Sequence, residues 1–256
     1  MYGNSTLWSV IHRLKFPERK PDHASIEPWA ALQRPFVWRE EQIARLFDSI
    51  MCGFPIGTVL IWRTDAAVKH QCFVSDWPGS TAVAGAEVPQ NTGAKDIVLD
   101  GHQRLQSLLI GLAGSYNGRE LYFDVTSGEE TSLDRIRYRF GFKDADAGWP
   151  WVRFKDIVSE MSRDKDLPVW SDDPTSAALS GAHTEAERHL IVDNVLQAIR
   201  QFALAGDIRF QYLVRHNDDP DRGDSDNYTA EEAAEIFRRI NAGSTLPDRL
   251  WLPSPE

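Results

Sequence analysis

The chain has 256 residues, 42% of them hydrophobic and 26% charged, with a net charge of −10. Those values describe a soluble globular protein of one large domain or two small ones, and the acidity disfavours a non-specific nucleic-acid binder. Apolar runs such as Ile56–Trp62 fall far short of the ~20 residues a membrane helix needs, and two cysteines, Cys52 and Cys72, are too few for a disulfide scaffold or a cysteine-based zinc site.

In chain order, residues 1–25 are polar and mixed, with Pro17 and Pro21; a short helix is expected near 5–13. A strand is expected over Ile26–Ala31. From Arg39 to Met51 the apolar residues Ile43, Leu46, Phe47, Ile50 and Met51 form the stripe of an amphipathic helix, with Gly53 and Pro55 at its end. Thr58–Trp62 reads as a buried strand. Residues 64–96 hold small residues, Gly and Pro with little periodicity, and are expected to form an exposed loop with one strand near Cys72–Val74.

Ile97–Leu99 is expected to be a short strand that turns at Asp100-Gly101 into a helix over His102–Ala113, which Gly114 ends. Leu121–Val125 and Ile136–Phe142 read as an antiparallel pair. Trp151–Met161 reads as a strand or loop entering a short helix. The longest helix is expected over Glu185–Leu204, carrying Leu190, Val192, Val195, Leu196, Ile199 and Phe202. Ile208–Val214 reads as a strand. Residues 216–228 form an acidic loop. Thr229-x-x-Glu232 is a capping-box pattern, opening a helix with Ala233, Ile236, Phe237 and Ile240 on its core face. The fold class is α+β.

Charge is uneven along this order. Residues 1–63 carry eight Lys/Arg and six Asp/Glu, whereas residues 144–235 carry twenty acids and nine bases. A local basic cleft in the first half is compatible with the acidic total.

Three patterns carry chemistry. The first is strand, Asp100-Gly101-His102-Gln103-Arg104, helix. A helix N-terminus attracts anions, Gly101 allows close backbone approach, Arg104 could add a bidentate phosphate contact, Asp100 could hold Mg²⁺, and His102 could relay a proton. Its bland counterpart is a tight turn with Asp100 as N-cap and Arg104 solvated. The second is Gln33-Arg34-Pro35-Phe36-Val37-Trp38, in which Gln33 and Arg34 could reach a base or phosphate. It reads equally as a helix-entry loop with Phe36 and Trp38 stapling the next helix. The third is Phe237-Arg238-Arg239-Ile240-Asn241-Ala242-Gly243, also an ordinary helix C-cap. The acidic loop lacks the spacing of an EF-hand.

The order of these pieces resembles a known family. The block from Gln33 to Trp38, with Gln42-Ile43, Asp48-Ser49-Ile50 and Gly53-Phe54-Pro55-Ile56-Gly57, looks like the opening of the GmrSD-type restriction endonuclease N-terminal domain. Ile97–Leu108 resembles that family's second block and Glu235–Gly243 its third, together spanning about 26–246. The resemblance implies a ParB/sulfiredoxin-like core with a mixed sheet and a helical C-terminal part. It divides the chain into an N-terminal extension (1–25), a core (26–143) with the insert 64–96, an α-rich extension (144–246) that completes the site, and a tail (247–256). It implies a nucleotide site in which Asp100, His102 and Arg104 act on the phosphates, Asp100 bears the metal, and Gln33, Arg34, Gly101, Gln103, Arg239 and Asn241 bind the nucleotide. It further implies Mg²⁺ and GTP or another nucleoside triphosphate as cofactors. The role implied is phage defence against modified DNA, with cleavage by a His-Asn-His nuclease domain or subunit encoded separately. Two positions depart from the family pattern: His102 stands where Gln is usual, and Gly243-Ser244-Thr245-Leu246 keeps one of two glycines.

An NTP-hydrolysing regulatory domain is therefore the leading expectation. A non-enzymatic DNA-reading module and a weak ParB-like nuclease are the alternatives. The N-terminus has no basic start followed by an apolar core, so no secretory signal is expected and the setting expected is cytoplasmic.

Overall fold

A computed structural model describes residues 2–7, 10–11, 14, 30–32, 36–64, 70–78, 95–129, 135–159, 178–204, 207–213 and 228–240. Three sheets and five helices can be traced among them. The largest sheet has six strands in the order β1 (Tyr2–Thr6), β11 (Asp207–Leu213), β3 (Thr58–Thr64), β6 (Lys95–Asp100), β2 (Ala30–Leu32) and β4 (His70–Cys72). Its pairings are mixed: β11 runs parallel to β3 and β2 parallel to β6, while the other neighbours are antiparallel. A second sheet places β8 (Glu120–Asp124) between β10 (Trp151–Arg153) and β9 (Phe140–Lys143). A parallel pair joins β5 (Asp76–Trp77) to β7 (Ser115–Tyr116).

Alternation along β3 explains why the large sheet is covered on both faces. Val59 and Ile61 belong to the main core, with Val98 of β6. Leu60 and Trp62 point the other way, joining Ile97, Leu99, Leu213, Ala233 and Phe237 in a second cluster. A strand buried on both faces reads as a continuous apolar run, as Thr58–Trp62 does. The main core receives α1 (Glu40–Met51) and α2 (His102–Ala113). It also receives α3 (Phe154–Ser159) and α4 (Glu185–Ile199), which a π-helical turn at Arg200–Leu204 continues. The second cluster is closed by α5 (Ala230–Ile240). Trp62 Nε1 donates to the carbonyl of Tyr228 at 2.9 Å and so fixes the start of α5.

The expected helix over His102–Ala113 has those bounds in the structure, and the α1 stripe is buried as its periodicity requires. The Thr229–Glu232 capping box forms in both directions, at 2.9 and 3.2 Å. Other expectations shift. A strand at Tyr2–Thr6 precedes the first helical residues, of which Leu7, Val10, Ile11 and Leu14 are described and buried. Leu196, one of the apolar residues named for the long helix, is 53% exposed, because α4 buries Ile191, Asn194, Val195 and Ala198. Ile240 is likewise exposed; the buried residues of α5 are Ala233, Ala234 and Phe237, with Ala230 and Ile236 packed beside the second cluster. The large sheet draws strands from the expected extension, core and C-terminal part alike. Among the described residues, no helix is long and apolar enough to cross a membrane.

Candidate functional site

The Asp100 corner is built by two strand ends and one helix start. At the end of β6 the register slips: Asp100 pairs with Leu60 while Val98 pairs with Ile61, which leaves Leu99 as the extra residue of a bulge. Bulges re-aim the side chains beside them, and this one sits directly before the turn. Gly101 then adopts φ +91° and serves as the N-cap of α2. An L side chain rarely takes that conformation, and a Cβ there would lie 2.9 Å from Val59 Cγ2. Asp100 is thus not the N-cap of the bland reading.

Arg104 is not solvated either. Its Nη1 donates to the carbonyl of Ile56, and its Nη2 donates to the carbonyl of Thr58 at 3.0 Å and to Asp100 Oδ2 at 3.3 Å. The Arg104 side chain is 21% exposed and that of Asp100 is 45% exposed. Gly57, just before β3, has φ +85°, and a Cβ at that position would fall 2.4 Å from Arg104 Nη1. The guanidinium therefore lies against two left-handed glycines, one at each strand end. The sequence reading missed Gly57 as a site residue; a second glycine at the foot of a buried strand, facing the Asp-Gly turn, was the available signal.

Gln103 links the first and second motifs. Its Oε1 accepts the backbone N–H of Val37 at 3.0 Å. Phe36 is buried and meets Trp77 edge-on, with centroids 5.2 Å apart, and Trp38 packs against the core. Both aromatics thus turn into the core, while Val37 between them is 66% exposed. His102 stands beside Phe73, with ring centroids 5.2 Å apart. One turn further along α2, the buried Gln106 side chain exchanges two hydrogen bonds with the backbone of Val74, imitating a strand partner. Glu40, at the start of α1, pairs with Arg119; burial pushes its carboxyl up and Arg119 opposes that.

The structure therefore brings Asp100, Gly101, His102, Gln103 and Arg104 together with Val37, Ile56 and Gly57. Arg239 is placed on the last turn of α5, where its Nε donates to Glu235 Oε1 at 2.8 Å and its side chain is 79% exposed. Glu235 also takes Arg238, so both arginines are paired within their own helix. Gln33, Arg34 and Asn241 lie outside the described residues. Among the described residues, no group of three or more His, Cys, Asp or Glu side chains could hold a metal ion; Asp100 is the carboxylate at this corner.

No curated protein matches the chain. The family described as GmrSD restriction endonuclease, N-terminal domain, matches it over residues 27–247. That span takes in the Val37–Gln103 link, both glycine corners and all of α5, and the chain belongs to that family.

Proposed function

We propose that the chain is a nucleotide-binding, NTP-hydrolysing regulatory domain of a modification-dependent DNA restriction system in phage defence, and that its site is the Asp100 corner. The family is one of restriction endonucleases, whose target is DNA. The observation that carries the nucleotide reading is the junction of two motifs at the start of α2. Val37 of the first block is tied to Gln103 of the second, and the Gly57 and Gly101 turns meet beside it. A helix N-terminus with glycine backbone around it suits a phosphate group. In this reading the six-stranded sheet and α2 form a ParB/sulfiredoxin-like core, and Gln33, Arg34, Arg239 and Asn241 complete the nucleotide pocket.

Asp100, nearly half exposed, is the side chain that would hold a Mg²⁺ arriving on the phosphates. One protein carboxylate with substrate oxygens is an ordinary arrangement for that ion, and bound there it would neutralise charge on the transferring phosphoryl group. His102, one residue along, stands where it could carry a proton to or from the attacking water. The chain would work in the cytoplasm with a separate His-Asn-His nuclease domain or subunit.

The test is phosphate release from GTP, UTP, CTP and ATP with Mg²⁺. Turnover of at least one, lowered a hundredfold or more by Asp100→Asn, is expected. If none of the four is bound or hydrolysed, the reading fails.

One observation favours a second reading, a DNA-reading module without catalysis. Residues 135–143 hold Arg135, Arg137, Arg139 and Lys143 and no acid. From Arg137 to Lys143 the chain alternates, with Tyr138, Phe140 and Phe142 buried between the bases. Arg139 pairs with Asp124 and Arg137 Nε donates to the Gly128 carbonyl, and bases clustered in this way suit a phosphate backbone where they also reach solvent. Filter binding of duplex DNA across a salt series separates the two: affinity falling steeply with salt, and less steeply after Arg137→Ala with Arg139→Ala, supports DNA contact here. A flat response removes it.

A further inference from the structure

We propose that Arg104 is a positioning residue that clasps the Gly57 turn to the Asp100–Gly101 corner, leaving a bound phosphate to be met by backbone groups rather than by the guanidinium. The inference rests on the phosphate-site reading above for its consequence, but its geometry stands apart from it.

Three contacts hold the guanidinium, and they come from two segments more than forty residues apart in sequence. Ile56 and Thr58 offer backbone carbonyls from either side of Gly57, and Asp100 offers a carboxylate from the end of β6. A planar fork is suited to such divided acceptors, because its donors are fixed in one plane; a lysine ammonium has no such plane. The space is equally specific. A Cβ at Gly57 would sit 2.4 Å from Nη1, and one at Gly101 would sit 3.4 Å from Nη2. Both glycines hold left-handed backbone, so the turns are shaped around the side chain.

Turning Arg104 outward to a phosphate would strip two carbonyls of their donor and release Asp100. Kept in place, it does two things for the corner. It fixes the Gly57 turn at the foot of β3 against the first turn of α2. It also draws the Asp100 carboxylate toward the guanidinium and so sets that group beside the helix start. The same clasp accounts for the spacing Asp-Gly-x-x-Arg, since a residue four after Asp100 lies one helical turn above it.

The full chain is compared with Arg104→Ala, Arg104→Lys and Gly57→Ala by hydrogen exchange without ligand, and by titration with the tri- and diphosphates of guanosine, uridine, cytidine and adenosine. The clasp predicts tenfold or faster exchange over residues 53–60 and 100–105 in all three variants. Exchange at α1 and β8 is expected to be unchanged, which also shows that the variants are folded. It predicts that Gly57→Ala, which keeps the arginine, weakens triphosphate binding as much as Arg104→Ala. The preference for triphosphate over diphosphate is expected to stay at the wild-type ratio in every variant. Wild-type exchange at residues 53–60 in Arg104→Ala overturns the clasp. So does a lost triphosphate preference in Arg104→Ala while Gly57→Ala binds normally, because that outcome places the guanidinium on phosphate. If the wild-type chain binds none of these nucleotides, the phosphate-site reading fails, and the exchange measurements still decide the clasp.

Discussion

Asp48 and Cys52 occupy one turn of α1 and its cap, and their chemistry follows from that spacing. Asp48 is buried, and its Oδ1 accepts the backbone N–H groups of Arg137 at 3.2 Å and Tyr138 at 2.8 Å. The Cys52 thiol points at the same oxygen from 3.7 Å. Burial, and then the charge and hydrogen bond of Asp48, push the thiol from its ordinary 9.0 to about 11. A group raised on folding stabilises the folded chain fully below its unfolded value and loses that contribution as pH rises through the folded one, here between 9.0 and about 11. At pH 9 the thiolate fraction falls from half to about 1%. In a Cys72→Ser background, alkylation of Cys52 by iodoacetamide at pH 9 is expected to be roughly 50-fold slower in the folded chain than in urea, the two rates converging toward pH 12. Equal rates at pH 9 would show that neither burial nor Asp48 raises the thiol in the folded chain. At the corner itself, the residue types were legible and their duties were not. Asp-Gly-x-x-Arg announced a strand-to-helix turn with a cation nearby. That the cation faces inward depends on the carbonyls of Ile56 and Thr58, more than forty residues away, and such a contact leaves no local pattern.

The elements show the same division between local and distant causes. Helices α1 and α2 were readable because their stripes and glycine stops are local. Helix α4 was readable in its bounds, which the turn over Arg200–Leu204 completes, but not in its buried face, which includes Asn194, whose Nδ2 donates to the carbonyls of Val125 at 2.8 Å and Ser127 at 2.6 Å. A polar residue tied to a neighbouring turn displaces Leu196 from the core. The crossing of α1 and α2 makes a prediction of its own. A Cβ at Gly111 would lie 2.4 Å from Phe47 Cζ and 3.0 Å from Leu121 Cδ2. Helix propensity alone favours Gly111→Ala by about 1 kcal/mol, whereas overpacking a filled core costs about 1–3 kcal/mol. Phe47 cannot simply turn away, since its ring packs on Phe140, Phe154 and Phe202. The packing effect wins, and Gly111→Ala is expected to be destabilised by about 1–2 kcal/mol in urea unfolding. A stabilised variant would mean that the two helices separate more easily than their rings suggest.

For the molecule as a whole, the mixed α+β composition was visible, but the strand order was not. The division at 143/144 that the family resemblance implied places the acidic, α-rich part behind it. The large sheet crosses that line, because β11 pairs with both β1 and β3. Pairing across such a distance is set by burial on both faces of β3, where Leu213 joins Leu60 and Trp62. A chain ending at residue 143 therefore lacks the strand that joins β1 to β3, and it also lacks α5 over the second cluster. Such a chain is expected to show no cooperative unfolding transition by circular dichroism. A sharp transition close to that of the full chain would make residues 1–143 an independent unit.

The position of β11 also sets an order of events in the cell. Strand β3 ends at Thr64 and β11 begins at Asp207, so a ribosome adding about 5–20 residues per second needs roughly seven to thirty seconds to make the one after the other. Through that interval one side of β3 stays open, and Trp62 and Leu60 wait for Leu213 and Phe237. A nascent chain stalled at residue 206 would offer that edge to proteases and to other unfinished copies. Translation speed over the acidic second half thus becomes a determinant of yield.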